Sequence, residues 1–307
     1  MSHDAPPPRI LARRDTAARM LDRRPDLSVE RNERRRAREL AASLGNQAAV
    51  VDILAAWLEA NPDAELRDLS SALADRLQLR LASLAPASRT EEFTVTSRVE
   101  EAFELGWEMF EEERVRELLR VLALCSPSGT PEDVLCAAAD ARRPDVEVAI
   151  ESGFVRRDED GLVEADSATL FFIRSRGEPP ASRYERRLRL AMAVRDHAAR
   201  VAPTDVTLDS AAECAHQFLE DLAQYGLQAS LAHRMTELLR LRGDLTGARV
   251  WVQRGLDIVH RHPIAAPLAG LLALDEAALV LFEHGATVAR PHASRAVELL
   301  AAAAARG

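Results

Sequence analysis

The sequence predicts a mainly α-helical protein, and three observations lead to this prediction. Hydrophobic residues make up 47% of the 307 residues but aromatic residues only 4%, so the core must be built from Ala, Leu and Val. Ala and Leu are strong helix formers. Apolar residues recur at steps of three and four along most of the chain, which is the spacing of one helix face. The length allows two or three domains.

The charge composition narrows the classes of function. All 40 basic residues are arginine, and the net charge is −9. An acidic balance argues against a general nucleic-acid binder, which gains affinity by neutralising phosphates. Without lysine the chain can form neither a Schiff base nor a phosphate-binding loop of the lysine-containing type. We therefore expect no nucleotide-dependent or lysine-dependent catalysis and no cofactor.

The number of cysteines and the character of the first residues predict the cellular compartment of the protein. Cys125, Cys136 and Cys214 are too few and too widely spaced for a disulfide framework or a zinc site. The stretch from Met1 to Pro8 is polar and proline-rich, unlike a signal peptide. No run approaches the ~18 apolar residues of a membrane span. The sequence thus predicts a cytoplasmic protein that binds neither metal nor membrane.

The front of the chain predicts a helical domain over residues 10–112, after a disordered lead-in at residues 1–9. Apolar residues between Ala49 and Leu58 fall on one helical stripe. Leu66, Leu69, Leu73 and Leu77 repeat the same period in a further helix.

A winged-helix-like module is predicted over residues 113–176. Thr130-Pro131 and Pro144 are helix-start signals. Phe154-Val155-Arg156 and Leu162-Val163 flank an Asp-Gly turn, which predicts a β-hairpin whose second arm continues through residues 169–173. Three helices followed by a hairpin is the order of a winged helix. A linker is predicted at residues 177–183.

A repeat predicts an α-solenoid over residues 184–307. Residues 238–243 are similar to residues 279–285, and the glycines that end the two stretches, Gly243 and Gly285, lie 42 residues apart. A second helix is predicted after each glycine, at Thr246–His260 and at Pro291–Ala305. Periods of this length are typical of stacked helical hairpins.

Two surfaces are candidate binding sites. The first helices of stacked hairpins line a groove, and the stripe predicted to face it comprises His233, Glu237, Arg240, Asp275, Leu279 and Phe282. A polar stripe with one aromatic residue suits a protein or peptide partner. The second candidate is a possible DNA-contact patch of the winged-helix-like module, comprising Arg142, Arg143, Arg156 and Arg157.

Other clusters have simpler explanations. His260 and His262 could suggest a metal site, but cationic side chains at the end of a helix are favoured by its dipole. Cys214, His216 and Asp221 lie within two helical turns and cannot converge on one atom. We therefore expect no catalytic residues and no metal ligands.

The C-terminal third resembles the tetratricopeptide repeat. Gly243-Asp244, followed by Ala248, Val252 and Gly255, looks like the second half of such a repeat, in which small residues stand where helices cross closely. Val252 departs from the pattern, since a larger apolar residue is usual there. The resemblance covers residues 205–307 and implies a protein-binding array.

A second resemblance joins the front of the chain to this array. Residues 40–51, Leu-Ala-Ala-Ser-Leu-Gly-Asn-Gln-Ala-Ala-Val-Val, resemble the Leu-Gly-x-x-Pro-Leu-Ala-Leu region of NB-ARC (STAND-type) signalling ATPases. Residues 12–26 and 95–124 resemble its flanks, and the family often carries tetratricopeptide repeats behind a winged helix. The motif proline, which lies against the nucleotide, is replaced by Ala48, and the lysine-containing loop is missing. The nucleotide-binding domain would precede residue 10, where there is no room, so ATP binding is not expected.

The sequence therefore favours a non-catalytic regulatory or scaffold protein that binds a protein or peptide through its repeats. Two alternatives stay open at this point. The winged-helix-like module could make the chain a DNA-binding transcriptional regulator, although the acidic residues around the arginine patch argue against nucleic acid. The third hypothesis, a degenerate ATPase, requires nucleotide binding without the lysine.

Overall fold

A computed structural model of the chain describes residues 9–83, 95–125, 128–203 and 205–305. Its elements in chain order are α1 (Arg13–Leu21), α2 (Pro25–Ser28), α3 (Arg31–Ser43), α4 (Ala48–Ala60), α5 (Leu66–Ser83), α6 (Val95–Glu108), α7 (Glu113–Leu122), β1 (Thr130–Pro131), α8 (Glu132–Ala139), α9 (Arg143–Glu151), β2 (Arg156–Arg157), β3 (Leu162–Glu164), α10 (Ser167–Ser175), α11 (Pro180–Ala198), α12 (Asp209–Asp221), α13 (Tyr225–Arg242), α14 (Leu245–Arg261), a 3₁₀ helix (Pro263–Leu268), α15 (Ala269–His284) and α16 (Ala286–Ala304). The protein is mainly helical, as predicted.

The chain forms two compact units. The first comprises Met1–Ala123 and Asp140–Gly177, and the second comprises Leu124–Ala139 and Glu178–Gly307. The region predicted as a winged-helix-like module is thus shared between the two units, because β1 and α8 belong to the second. The predicted lead-in at residues 1–9 lies, except for Arg9, outside the described residues.

The first unit is built around α4. Nine of its residues are buried, and its two charged residues, Asp52 and Glu59, form ion pairs with Arg19 and Arg23. It packs against α1 and α6, while α3 contacts α1 and α5. Aromatic residues are few in the sequence, yet five of them meet in this core: Phe103, Trp107, Phe110, Phe154 and Phe172. The rings of Phe103 and Phe172 stack with centroids 5.0 Å apart.

The hairpin of the first unit is shorter than the sequence predicted. β2 and β3 pair antiparallel, with Arg156 opposite Glu164 and Arg157 opposite Val163. The prediction that the second arm continues through residues 169–173 is wrong, since these residues lie in α10. Asp166 caps this helix by accepting a hydrogen bond from the backbone N–H of Ala168 at 2.9 Å. The buried residues of α10 follow a helical rather than an alternating spacing.

The second unit is a series of antiparallel helices. α11 packs against α8 and α12, α12 against α13, and α13 against α14; α14 then contacts α15, and α15 contacts α16. The odd-numbered helices α11, α13 and α15 also contact one another in succession. Residues 180–183, predicted as linker, form the first turn of α11.

The two glycines of the sequence repeat end helices. Gly243 follows α13 with φ of +88° and Gly285 follows α15 with φ of +81°, a backbone conformation that favours glycine. Asp244 then caps α14 through the N–H of Gly247 at 2.9 Å. The second helices are longer than predicted, because α16 begins at Ala286 and includes Pro291 in its interior.

Helix α15 is more apolar than the sequence analysis recognised. With the preceding 3₁₀ helix it forms a 22-residue segment, Pro263–His284, long and apolar enough to cross a membrane by length and composition alone. The expectation that no such run exists is therefore wrong. The segment packs against α13, α14 and α16, and its Asp275 is hydrogen-bonded to His233. Packing within the second unit covers only part of its apolar surface, since 39% of the apolar window is buried.

Gly255 is a point of close approach between α13, α14 and α15. A Cβ atom at Gly255 would lie 2.5 Å from Cδ2 of Leu272 on α15 and 3.2 Å from Cβ of Ala232 on α13. Both neighbouring side chains are fully buried, so they have little room to move away.

We expect Gly255→Ala to lower the free energy of unfolding by about 1–3 kcal/mol, because the added methyl group overpacks this junction. Gly226→Ala in α13 is the matched control, since its Cβ would meet only the backbone oxygen of Ile264 at 4.0 Å. The control should be neutral or more stable by up to about 1 kcal/mol. Urea unfolding followed by circular dichroism measures both; equal effects of the two changes would contradict this packing.

The second unit should also lose stability in acid. His216 lies edge-on to Trp251, with ring centroids 5.4 Å apart. Burial lowers the pKa of His216 below 6.5; the charge of Arg254 lowers it further, and Glu213 and Glu220 oppose the shift. The unfolded chain therefore binds the proton more tightly than the folded chain does. The contribution of neutral His216 to the free energy of unfolding is complete above pH 6.5 and is lost as the pH falls below that value. Relative to His216→Phe, the wild type should become less stable as the pH decreases below 6.5, as measured by urea unfolding. A constant difference would contradict the shift.

Candidate functional site

The predicted groove residues separate into a buried and an exposed set. His233, Asp275 and Leu279 are buried, and Leu279 is only 2% exposed. Glu237 and Arg240 are half-buried, and Phe282 is exposed. Leu279 therefore belongs to the packed interior and has no surface for a partner, because its helix face is covered by neighbouring helices. The six residues do not form one continuous exposed stripe.

The buried pair joins two successive odd-numbered helices. Nδ1 of His233 on α13 lies 2.6 Å from Oδ2 of Asp275 on α15, and the two positions are 42 residues apart, the period of the sequence repeat. Oε2 of Glu237 is 3.5 Å from the other ring nitrogen, Nε2. Burial raises the pKa of Asp275, although the hydrogen bond from His233 opposes the shift. A polar contact thus links equivalent positions of the two helix pairs.

This histidine and carboxylate are placed to link two helices rather than to meet solvent. A general base must reach the proton of a bound substrate, whereas the side chains of His233 and Asp275 are 9% and 8% exposed. The pair is instead a structural link, since a buried polar group needs its partner to offset desolvation.

We expect Asp275→Ala to destabilise the protein by about 3 kcal/mol, because it leaves His233 buried without its partner. His233→Ala should be similarly harmful. The free energy of unfolding lost in the double variant should be smaller than the sum of the two single losses by at least about 1 kcal/mol. Each single variant leaves one buried polar group without its partner, whereas the double variant removes both groups. Urea unfolding of the wild type, the two single variants and the double variant measures this double-mutant cycle. Additive effects would show that the two side chains do not depend on each other.

Beside the buried pair, charged and apolar side chains remain at the surface of α13. Arg234 donates to Glu237 through Nη1 at 2.8 Å, and Leu241 is 64% exposed. Among the predicted groove residues, Glu237, Arg240 and Phe282 therefore retain accessible surface on α13 and α15.

The arginine patch lies in the first unit and is neutralised in part. All four arginines are exposed. Nε of Arg156 lies 2.5 Å from Glu164, and Nη2 of Arg157 lies 2.7 Å from Glu147. Arg142 is the N-cap of α9, where its backbone N–H donates to Asp145 at 2.7 Å. Carboxylates beside the guanidinium groups reduce the attraction of this patch for phosphates.

The first unit also contains a polar cavity of about 360 Å³. Four arginines and four acidic residues line it: Arg9, Arg19, Arg23, Arg156, Asp22, Asp52, Glu164 and Asp166. Arg19 binds both oxygens of Asp52, with Nη2 2.6 Å from Oδ2, and this hydrogen bond raises the pKa of Arg19. Ala48, which replaces the motif proline of the NB-ARC resemblance, lies in the same wall. With equal numbers of positive and negative side chains, the lining carries no net formal charge.

A second cavity, of about 430 Å³, lies beside α3 and α5. Leu40, Leu44, Leu73 and Leu77 supply apolar surface to its wall, which also carries the charged residues Arg36, Glu39 and Arg98. Across the described ranges of the chain, no group of three or more His, Cys, Asp or Glu residues is placed to hold a metal ion.

Comparisons with models of protein families, with curated proteins and with solved structures found no match to this chain. The geometry of the chain itself therefore carries the functional argument.

The sequence analysis missed an exposed apolar face on α15. Leu274, Leu281 and Phe282 are 47%, 48% and 63% exposed. The residues 42 positions earlier than Leu274 and Leu281 are Ala232 and Leu239, which are both buried. All four residues are apolar, so the sequence alone does not distinguish the exposed face from the buried one.

Proposed function

We propose that the chain is a non-catalytic regulatory or scaffold protein that binds a partner protein through the helical repeats of its second unit. The observation that carries this proposal is the succession of antiparallel helix pairs in which α11, α13 and α15 contact one another in order. Proteins built from stacked helical hairpins have this contact pattern, and they use the extended surface of the stack for binding.

The 42-residue period supports the same arrangement. His233 and Asp275 occupy equivalent positions and bind each other, and Gly243 and Gly285 end equivalent helices. These features favour a tetratricopeptide-like α-solenoid. The first unit, which resembles the helical and winged-helix regions of STAND-type ATPases, then makes the chain similar to the sensor arm of such a switch.

The proposed partner surface comprises Arg234, Glu237, Arg240, Leu241 and Phe282. All five lie on α13 and α15, which are the first helices of their pairs. The surface combines ionised groups with two large apolar side chains, a composition that suits an extended peptide or a protein terminus.

DNA binding remains the alternative, and the geometry favours it less. Arg156 and Arg157 already face Glu164 and Glu147, so few phosphate contacts remain for the patch.

Reversing the charges of the proposed surface should abolish partner binding. The full chain, immobilised at low density, is compared with Glu237→Arg plus Arg240→Glu in capture from lysate, followed by chemical cross-linking and quantitative mass spectrometry. We expect recovery of the cross-linked partner to fall at least about tenfold, because charge complementarity at a binding surface is lost.

The matched control is Asp257→Arg plus Arg261→Glu on α14, two exposed residues one helical turn apart. It should recover the partner as the wild type does. Circular dichroism of all three proteins establishes that the helices are retained. Equal recovery by the wild type and the charge-reversed surface variant would reject the proposed surface.

A further inference from the structure

Helix α13 keeps accessible surface although other helices pack on both sides of it. It contacts α11 and α12 before it in the chain and α14 and α15 after it. Towards its C-terminal end Arg234, Glu237 and Arg240 are half-buried, and Leu241 is 64% exposed. We call these four residues the α13 strip. Its exposure belongs to the interior of the helix series, where neighbouring helices are in place.

Arg240 differs from the other arginines of α13 and α14, two helices that are described along their whole length. No carboxylate of the described chain lies within 4.0 Å of its guanidinium group, and its Nε is buried without a hydrogen-bond partner. Asp275 interacts electrostatically with Arg240, but its carboxylate is hydrogen-bonded to His233 at 2.6 Å. The remaining arginines of the two helices are all paired: Arg234 with Glu237, Arg242 with Asp209, Arg249 with Glu283, Arg254 with Glu213 and Arg261 with Asp257.

An uncompensated, half-buried guanidinium group attracts an acidic group of a partner. Partial burial weakens the screening by water, so a carboxylate gains more at such a position than at a fully exposed arginine. A guanidinium group also donates parallel hydrogen bonds to a carboxylate, which gives the contact a defined direction. The α13 strip therefore favours an acidic partner, even though the whole chain has a net charge of −9.

Two large apolar side chains flank Arg240. Leu241 follows it in the chain, and Phe282 on α15 is the equivalent residue 42 positions later. His233 and Asp275 have the same separation and are in direct contact, and positions 240 and 282 lie about two helical turns further along the same helices. Arg240 and Phe282 are therefore neighbours across α13 and α15. Phe282 is 63% exposed, and Arg240 keeps accessible surface although a further helix pair follows it.

We propose that the partner segment bound by this surface is an extended peptide in which an Asp or Glu residue stands between large apolar residues and places its carboxylate on the guanidinium group of Arg240. The proposed function supplies the partner on which this inference rests. The apolar residues of the peptide contact Leu241 on one side and Phe282 on the other. A chain terminus has a neighbour on only one side of its carboxylate, so an acidic side chain within the peptide fits this arrangement better than a terminal carboxylate does.

The sequence preference of the surface is measured by selecting a random peptide library, displayed on phage, on the immobilised full chain. The peptides are joined to the coat protein through their C-termini, so none has a free terminal carboxylate. We expect Asp or Glu with a large apolar residue on each side to be enriched at least about tenfold over the unselected library, because charge complementarity selects among partners. Enrichment of uncharged or basic peptides instead overturns the inference.

The role of Arg240 is measured with the selected peptide, synthesised with a fluorescent label and an amidated C-terminus. Replacing its acidic residue by the corresponding amide should raise the Kd for the wild type at least about tenfold in fluorescence anisotropy. For Arg240→Gln the same replacement should change the Kd less than about twofold, because the group that binds the carboxylate is absent. Arg240→Lys keeps the charge and should retain part of the preference.

The matched control is Arg261→Gln on α14, which removes the same charge from a side chain that is 73% exposed and lies outside the partner surface. It should distinguish the acidic peptide from the amide as the wild type does. Circular dichroism of the variants establishes that the helices are retained. An Arg240→Gln variant that still prefers the acidic peptide tenfold overturns the inference, since the carboxylate then binds elsewhere.

Two results separate this inference from the proposed function. If charge reversal at Glu237 and Arg240 abolishes partner capture but the selected peptides show no acidic preference, the acidic peptide is rejected and the partner surface is retained. Absence of any enriched peptide also rejects the acidic peptide. The proposed function itself is rejected only by partner recovery that charge reversal leaves unchanged.

Discussion

The second unit depends on the close approach of three helices at Gly255. A side chain at this position would occupy the space taken by Leu272 and Ala232. Because glycine stands there, α14 can touch α13 and α15 at once, and the next helix pair can stack on the previous one. The nearby contact between His233 and Asp275 adds directional specificity, since a buried hydrogen bond forms at one register and is lost at others.

The two units use different means of packing. The first concentrates its aromatic residues at one place, where Phe103, Trp107, Phe110, Phe154 and Phe172 fill the space between α6, α10 and the hairpin. The second relies on small and aliphatic residues, such as Ala229, Ala232 and Ala248, which let helices approach closely along their length. A cluster of aromatic residues fills one large space between elements, whereas small residues allow two helices to come close along their length.

Much of the fold follows from local signals, and the site does not. Helix periodicity, the Asp-Gly turn and the two glycines 42 residues apart predicted the helices, the hairpin and the helix ends. The prediction of a strand at residues 169–173 is wrong because a short apolar run such as Phe171-Phe172-Ile173 is compatible with either a strand or a helix. The N-cap at Asp166 favours the helix that the structure contains. The burial of Leu279 and the pairing of His233 with Asp275 depend on which helices pack against α13 and α15. These tertiary contacts cannot be predicted from the residue pattern of a single helix. The exposed stripe at Leu274 becomes evident only when its exposure is compared with the burial of the equivalent Ala232, which the structure provides.

The exclusive use of arginine has a consequence for the ionic contacts of the first unit. Arg19 with Asp52 and Arg156 with Glu164 are guanidinium–carboxylate pairs, and guanidinium groups stay protonated above pH 12, whereas lysine ammonium groups discharge near pH 10.4. These attractions therefore persist in strongly alkaline solution, where ammonium-based pairs would already have vanished.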